Sequence, residues 1–379
     1  MIHFNNGSLV HKLVMLLSFL GEYPTCSLHL MGNERVVKEL VHRLTMPQML
    51  RNDGTGEEYT GKLLTISGKG REKTIRLYKS ALPIMDWLHP DAYGYYMSSF
   101  RNHRFSGDAA HKERNHRIAE AAVLCMEAGV ESRPYLLPAL QGDSIRRTVP
   151  EMPAFYLSKD IKKVGGDEMN KIMFTRMTGV LFSGDECYAV YNTRGSVMKW
   201  NGIGEFKAMH SLTGLSRMNA GVETIDTAVL MGRDNHTALQ TMLATDSGEA
   251  KEFRFDAVYR HIHFIAMDKN GIFHLKLMTL PEWKNRLMEL LFDEEERCHE
   301  KGLFEYDAFV DGVYVFSFLD SDIASLLRFK SAVLHTEIIC EVLCFPYQLL
   351  FLKEYLGDAV RYKTIEMELV AEELGIGFF

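Results

Sequence analysis

The order of secondary-structure signals in the first 80 residues constrains the fold more than any other feature of this sequence. Residues 8–21 place leucines at helical spacing and end at Gly21, and residues 25–32 read as a short second helix or turn. A third helix is predicted over residues 33–44, where Asn33 is a suitable N-cap. Its predicted apolar stripe consists of Val36, Val37, Leu40, Val41 and Leu44. The segment therefore predicts three short helices that pack together.

Two β-patterned segments come next, KLLTIS and KTIRLYKS, joined by the residues GKGRE. The glycines of the connection suit the tip of a hairpin. One acid, Glu72, stands among five cations, which are Lys69, Arg71, Lys73, Arg76 and Lys79. Helix, short helix, helix and basic hairpin is the order of a winged helix-turn-helix. In that fold the third helix enters the major groove of DNA and the hairpin contacts phosphate.

The predicted partner of this N-terminal part is double-stranded DNA. The outward face of the third helix carries Arg35, Lys38 and His42, and the hairpin contributes Lys69, Arg71, Lys73 and Arg76. These cations would neutralise the DNA backbone. The alternative is a solvated hairpin on a winged helix that binds protein.

Charge is divided unevenly along the chain, which has a net charge of −7. Residues 1–117 carry 16 lysines and arginines against 11 acidic residues, so the acidic excess lies further on. This asymmetry favours a polyanionic partner for the N-terminal part. A further basic helix is predicted from about Ala109, with Arg114 and Arg117 near its start. Cations there oppose the helix dipole, so either DNA phosphate or an internal acidic partner should compensate them.

At 379 residues, the chain is long enough for two or three domains. We expect a winged-helix domain over residues 1–100, a connecting basic helix over 101–130 and an α/β domain over 131–379. In the last of these, MTGVLFS and CYAVYNT read as paired strands around the turn GDE. The segments HIHFIAM and IFHLKLM flank DKNG, which predicts a hairpin. Strands and helices then alternate, so the predicted class is α/β with a mixed sheet, or α+β overall.

Two segments resemble a known family. These are the helix from His116 to Glu120, with the sequence HRIAE, and the strand pair from Arg176 to Arg194. Together with the winged-helix order, they are similar to the replication-relaxation family of plasmids and integrative elements. The resemblance implies a core similar to restriction endonucleases, a relationship to plasmid mobilisation relaxases, and work on plasmid or transfer-origin DNA.

Nuclease chemistry in such a core would require carboxylates that hold Mg²⁺ and usually a lysine near the attacking water. The candidate catalytic residues are Asp185, at a turn, with Glu205 and Lys207, which read E-x-K. The strand that should supply the next acidic ligand instead has Tyr191 and Asn192. Residues two apart on a helix point about 200° apart, so Lys207 would face away from an ion held by Glu205. We therefore expect a degenerate site without a metal or other cofactor, although Mg²⁺-dependent nicking stays the alternative.

Other features of the sequence indicate no cofactor. His261, His263 and His274 could bind zinc, but no nearby cysteine completes the site, and polar strand faces often carry histidine. The six cysteines contain no C-x-x-C pair, which argues against a disulfide framework. Neither a signal peptide nor a long apolar segment is apparent, so we expect a cytoplasmic protein without a membrane partner. The sequence leaves homodimer formation open.

Three functions are compatible with these observations. The favoured one is a DNA-binding protein of a mobile element, acting in replication or transfer. The second is a metal-dependent nickase or relaxase on the same scaffold, and the third is a non-enzymatic assembly factor whose winged helix binds protein.

Overall fold

The computed structural model describes residues 1–100, 103, 105–132, 153–161, 176–184, 186–197, 202–220, 225–247, 257–298, 305–334 and 338–377. Within these ranges, helices surround four β-sheets, three of which mix parallel and antiparallel strands. The predicted α/β class is therefore confirmed at this level. None of the helices in these ranges has the length and apolar composition needed to span a bilayer.

The first 100 residues form a compact unit of helices and two three-stranded sheets. Its helices are α1 (Leu9–Leu20), α2 (Glu34–Leu44) and α3 (Pro90–Ser99), with 3-10 helices at Thr25–Met31, Gly70–Glu72 and Lys79–Trp87. Its strands are β1 (Ile2–Phe4), β2 (Tyr23–Pro24), β3 (Gln48–Asn52), β4 (Glu58–Gly61), β5 (Leu64–Ser67) and β6 (Thr74–Leu77). One sheet has the order β2-β6-β5 and the other β1-β3-β4.

The predicted helices α1 and α2 are present, and their caps explain where they begin. Ser8 caps α1 through His11 N–H, and Asn33 caps α2 through Arg35 and Val36 N–H. Gly21 ends α1 with a φ of 79°, a backbone conformation that favours glycine. The predicted stripe of α2 needs one correction, because Val36 is exposed and only Val37, Val41 and Leu44 are buried.

The hairpin β3–β4 lies between α2 and the basic hairpin β5–β6, and the sequence reasoning did not predict it. Leu50 of β3 is buried, while its neighbours Met49 and Arg51 are exposed, as expected for a strand at the surface. Strand β1 pairs in parallel with β3, so that the start of the chain is fixed beside this insertion.

A long helix, α4 (Ala109–Glu127), connects this unit to a five-stranded sheet. The sheet has the order β11-β10-β9-β8-β7. Its strands are β7 (Ala154–Leu157), β8 (Met177–Ser183), β9 (Glu186–Arg194), β10 (Thr227–Gly232) and β11 (His261–Ala266). The strand pair β8–β9 was predicted. Strand β8 runs antiparallel to β7 and β9, whereas β9, β10 and β11 are parallel.

The helices of this region are α5 (Ser158–Ile161), α6 (Ile203–Ala220), α7 (Asn235–Asp246), α8 (Lys269–Met278) and α9 (Trp283–Leu291). Helix α8 corrects the hairpin predicted at DKNG. The Asp268 side chain accepts from Gly271 N–H, which caps a helix instead of closing a turn between strands.

The four-stranded sheet, called the second sheet below, repeats the layout of part of the five-stranded sheet, called the first sheet. It has the order β12-β13-β14-β15, with an antiparallel pair followed by two parallel neighbours, like β8-β9-β10-β11. Its strands are β12 (Ala308–Val310), β13 (Val313–Ser317), β14 (Cys340–Cys344) and β15 (Arg361–Thr364). The helices are α10 (Ile323–Val333), α11 (Leu349–Leu356) and α12 (Met367–Leu374).

Both faces of the five-stranded sheet are buried. Alternate residues of β9 contribute to two apolar clusters: Tyr188 and Val190 belong to the cluster that includes α1 and α4, and Ala189 and Tyr191 belong to the other. The apolar core of the N-terminal unit is thus continuous with one face of the sheet, and the two parts share α4.

Candidate nucleic-acid interface

The tip of the β5–β6 hairpin presents Lys69 and Lys73 to solvent. The side chain of Arg71 lies outside the described residues. Thr25 N–H donates to Lys73 O at 2.9 Å, which holds the tip against the 3-10 helix that leads into α2. Arg76 is only half-exposed. Burial raises the pKa of Tyr96 to about 12, and the nearby Arg76 charge opposes that rise.

Helix α2 exposes Arg35, Lys38 and His42, as predicted, and also Arg43. The Lys38 ammonium lies 2.5 Å from the Glu34 carboxylate, one turn earlier. The hydrogen bond and charge of Lys38 lower the pKa of Glu34. The exposed surface therefore mixes both signs of charge. Arg43 was missed because the prediction considered only the first two turns and His42.

Two more of the predicted cations lie on α4. Arg114 is half-buried, and Arg117 donates from Nε to Glu113 Oε1 at 3.3 Å and from Nη1 to Asn192 O at 3.4 Å. The sequence left DNA phosphate and an internal acidic group as possible partners of this basic helix. In the structure, the acidic side chain of Glu113 lies beside Arg117. Its charge is thereby partly neutralised within the protein.

A buried polar centre joins α4 to the end of β9. The Arg194 guanidinium donates from Nε and Nη2 to the two oxygens of Glu120, each at 2.8 Å. Its Nη1 donates to Glu113 at 2.8 Å, and Asn192 Nδ2 donates to Glu120 at 3.1 Å. Only 3% of the Glu120 side chain is exposed, so its charge depends on these donors.

The electrostatics of this centre favour an ionised Glu113 carboxylate. Partial burial alone would raise the pKa of Glu113, but the charges of Arg194 and Arg117 outweigh it and hold that pKa below its usual range. Arg194 has a φ of 55°, which is uncommon for a residue with a side chain. Its backbone is fixed there because Arg194 N–H donates to Asn192 Oδ1 and Arg233 N–H donates to Arg194 O.

The same centre reaches the N-terminal unit. Ser27, in the 3-10 helix before α2, donates to Glu120 Oε1 at 2.5 Å. His116 of α4 lies 2.9 Å from Glu22, and Lys159 donates to the Phe19 carbonyl. The winged-helix candidate is therefore attached to the sheet by buried polar contacts as well as by apolar packing.

Of the proposed catalytic residues, Glu205 and Lys207 lie within the described structure. Glu205 lies on α6 with 3% exposure, whereas Lys207, two residues later, is exposed. Asp185 lies outside the described residues. Arg176 Nη1 is 3.4 Å from Glu205 Oε1, and Glu205 Oε2 has no hydrogen-bond partner. The described ranges contain no cluster of three or more acids, histidines or cysteines that could hold a metal.

The three histidines considered for zinc each have another partner. His261 Nδ1 lies 2.7 Å from Asp322, His263 Nδ1 lies 2.7 Å from the Asp320 carbonyl, and His274 bonds the Tyr347 hydroxyl. Burial lowers the pKa of His263 and of His274 to about 3, so both are neutral. These bonds connect β11 and α8 to the second sheet.

Sequence reasoning did not single out Glu120 or Arg194 as site residues. The sequence offered one signal for them: Glu120 and Arg194 each lie in one of the two segments that carry the family resemblance. Comparisons with family models, with curated proteins and with solved structures gave no match.

Proposed function

We propose that this protein binds double-stranded DNA through α2 and the basic β5–β6 hairpin. The observation that carries the proposal is the arrangement of these elements. Strand β2 pairs with β6, and two helices lie between β2 and β5, as in a winged helix. The Thr25–Lys73 bond keeps the cationic tip on the same unit as α2.

A role in the replication or transfer of a mobile element rests on the family resemblance. The segments that carry it, His116–Glu120 and Arg176–Arg194, meet at the Glu120–Arg194 ion pair. The order of helix α4, strands β7 to β9, helix α6 and strand β10 is compatible with the restriction-endonuclease-like core that the resemblance implies.

The core would act without cleaving DNA. On β9, Asn192 and Arg194 stand two residues apart, where an E-x-K pair would place a carboxylate and a lysine. The Arg194 guanidinium is paired with two carboxylates, Glu113 and Glu120, and its positive charge disfavours a metal cation beside them. This supports a binding role over the nickase alternative.

A protein-binding winged helix remains the second candidate because α2 and the following turn expose apolar side chains. Val36 is 56% exposed, Met46 51% and Met49 42%. Such side chains in one region are typical of protein contacts.

The test is the salt dependence of duplex binding, measured by fluorescence anisotropy for the full chain. We expect the double variant Lys69→Ala and Lys73→Ala to bind all duplexes more weakly. The slope of log K against log salt should fall by up to about 1.8, because each phosphate contact contributes roughly 0.9. The matched control removes two exposed cations of β15, Arg361→Ala and Lys363→Ala, and should keep the slope.

If the hairpin variant and the control have the same slope as the parent chain, the hairpin does not contact DNA. Retained folding with no duplex binding by the parent chain would favour the protein-binding candidate.

A further inference from the structure

A pocket of about 320 Å³ opens in the N-terminal unit where the parallel strands β1 and β3 end. Phe4 and Asn52, which pair directly across these strands, both line it. The start of α1 and the end of the 3-10 helix Lys79–Trp87 complete the walls. Its volume lies at the lower end of the range for small-molecule sites, which suits a single flat group.

Part of the lining is aromatic. The Phe4 and Trp87 rings meet edge to face with centroids 5.4 Å apart, and Phe4 meets the His11 ring in the same manner at 5.5 Å. Phe4 is 3% exposed, whereas Trp87 is half-buried. The rings therefore support one another, and the pocket has a rigid apolar wall.

The polar part of the lining consists of three amides and the His11 imidazole. Asn5, Asn6 and Asn52 contribute three carboxamide side chains, each with donors and an acceptor. Asn52 Oδ1 accepts from Gly54 N–H at 2.9 Å, which fixes the plane of that amide. No lysine, arginine, aspartate or glutamate is among the described residues that line the pocket.

We propose that this pocket binds a nucleobase. A base is flat and uncharged, its faces stack on aromatic side chains, and its edge carries the donors and acceptors that asparagine recognises. A phosphate or carboxylate ligand would need a charged partner, which the lining does not supply. The site goes beyond the proposed duplex contact and does not depend on it.

Two sources could supply the base. One is a free nucleotide, and the other is a base displaced from the stack of bound DNA. Strand β3 follows α2 after three residues and is five residues long, so the pocket at its end lies roughly 17 Å along the strand from its start.

The experiment is a calorimetric titration of the full chain with AMP, and with ribose 5-phosphate as the matched ligand without a base. We expect AMP to bind at one site and ribose 5-phosphate to bind at least tenfold more weakly. Asn6→Ala and Trp87→Leu should each weaken AMP binding about tenfold, whereas Asn285→Ala, an exposed amide of α9, should leave it unchanged.

The second arm compares an intact duplex with the same duplex carrying one unpaired adenine. Tighter binding of the bulged duplex, lost in Asn6→Ala and Trp87→Leu, would identify DNA as the source. If neither AMP nor the bulged duplex shows a base-dependent preference, or if ribose 5-phosphate binds as well as AMP, the proposal is wrong. Because the intact duplex is measured in parallel, failure of this site is distinguishable from failure of the α2–hairpin contact.

Discussion

Arg194 is the residue on which the buried polar centre depends. It is the donor to both Glu120 oxygens, and Glu120 in turn accepts from Ser27 and Asn192. Removing a partner of a buried ion pair leaves an uncompensated charge, which costs more than the pair itself contributes. The centre therefore links the N-terminal unit, α4 and β9 through the Glu120 carboxylate, with Arg194 as its principal donor.

We expect Arg194→Met to lower the free energy of unfolding by about 3 kcal/mol, since the Glu120 carboxylate would stay buried without its main donor. Urea unfolding followed by circular dichroism measures this. Adding Glu120→Gln to the variant should restore more than half of the loss, because the unpaired charge is then gone. Arg233→Met, at an exposed arginine, is the control and should change stability by less than about 0.5 kcal/mol. An equal loss in the single and double variants would contradict a charge-based role.

The buried carboxyl of Asp307 should make the stability of the protein depend on pH. Burial raises the pKa of its carboxyl to about 6, although its side chain also accepts from Ser317 N–H at 2.6 Å. The folded state then binds the proton more tightly than the unfolded state, so stability is highest below the unfolded pKa of about 3.9 and is lost as pH rises to about 6. We expect this group to contribute a loss of roughly 2 kcal/mol between pH 4 and pH 7. Asp307→Asn should remove that contribution from the pH profile of unfolding, whereas an unchanged profile would show that the carboxyl is not the source.

Helix α2 is the element that we expect to contact the base edges of DNA. Arg35 and Lys38 are both exposed, but Lys38 is engaged by Glu34 at 2.5 Å. We expect Arg35→Ala to reduce discrimination between the target duplex and a random duplex by about 1–3 kcal/mol, if Arg35 makes a bidentate contact to a base. Competition binding with the two duplexes measures this, and Lys38→Ala is the control with a smaller expected effect. An equal loss of affinity for both duplexes would show that Arg35 contacts only the backbone.

Elements with strong local signals were predicted from sequence, and those that depend on distant partners were not. Asn33 and the stripe containing Val37, Val41 and Leu44 specify α2 locally. In contrast, DKNG suits a hairpin as well as a helix start, and only the Asp268 cap and the buried face of α8 decide between them. The Glu120–Arg194 pair joins residues 74 positions apart, so no spacing rule could identify it.

The whole molecule combines a candidate DNA-binding unit with two sheets of the same layout. Each sheet has an antiparallel pair followed by two parallel neighbours. The first sheet meets the N-terminal unit at Glu120, and it meets the second sheet where Asp322 accepts from Ile262 N–H and pairs with His261. Contacts on both sides therefore hold the first sheet between the N-terminal unit and the second sheet.

This arrangement predicts that the intact protein binds a supercoiled plasmid carrying its target without nicking it in Mg²⁺ or Mn²⁺. Glu113 and Glu120 are bonded to Arg194 at the end of β9, and Lys207 is exposed while Glu205 is buried, so Glu205 and Lys207 do not converge on one ion. Gel electrophoresis of the plasmid after incubation, with binding measured in the same samples, tests this. Nicking that is lost in Glu205→Ala and in Asp185→Ala, but kept in Glu289→Ala at an exposed glutamate of α9, would establish the nickase alternative instead. Binding retained in all of these variants would show that the loss concerns chemistry and not recognition.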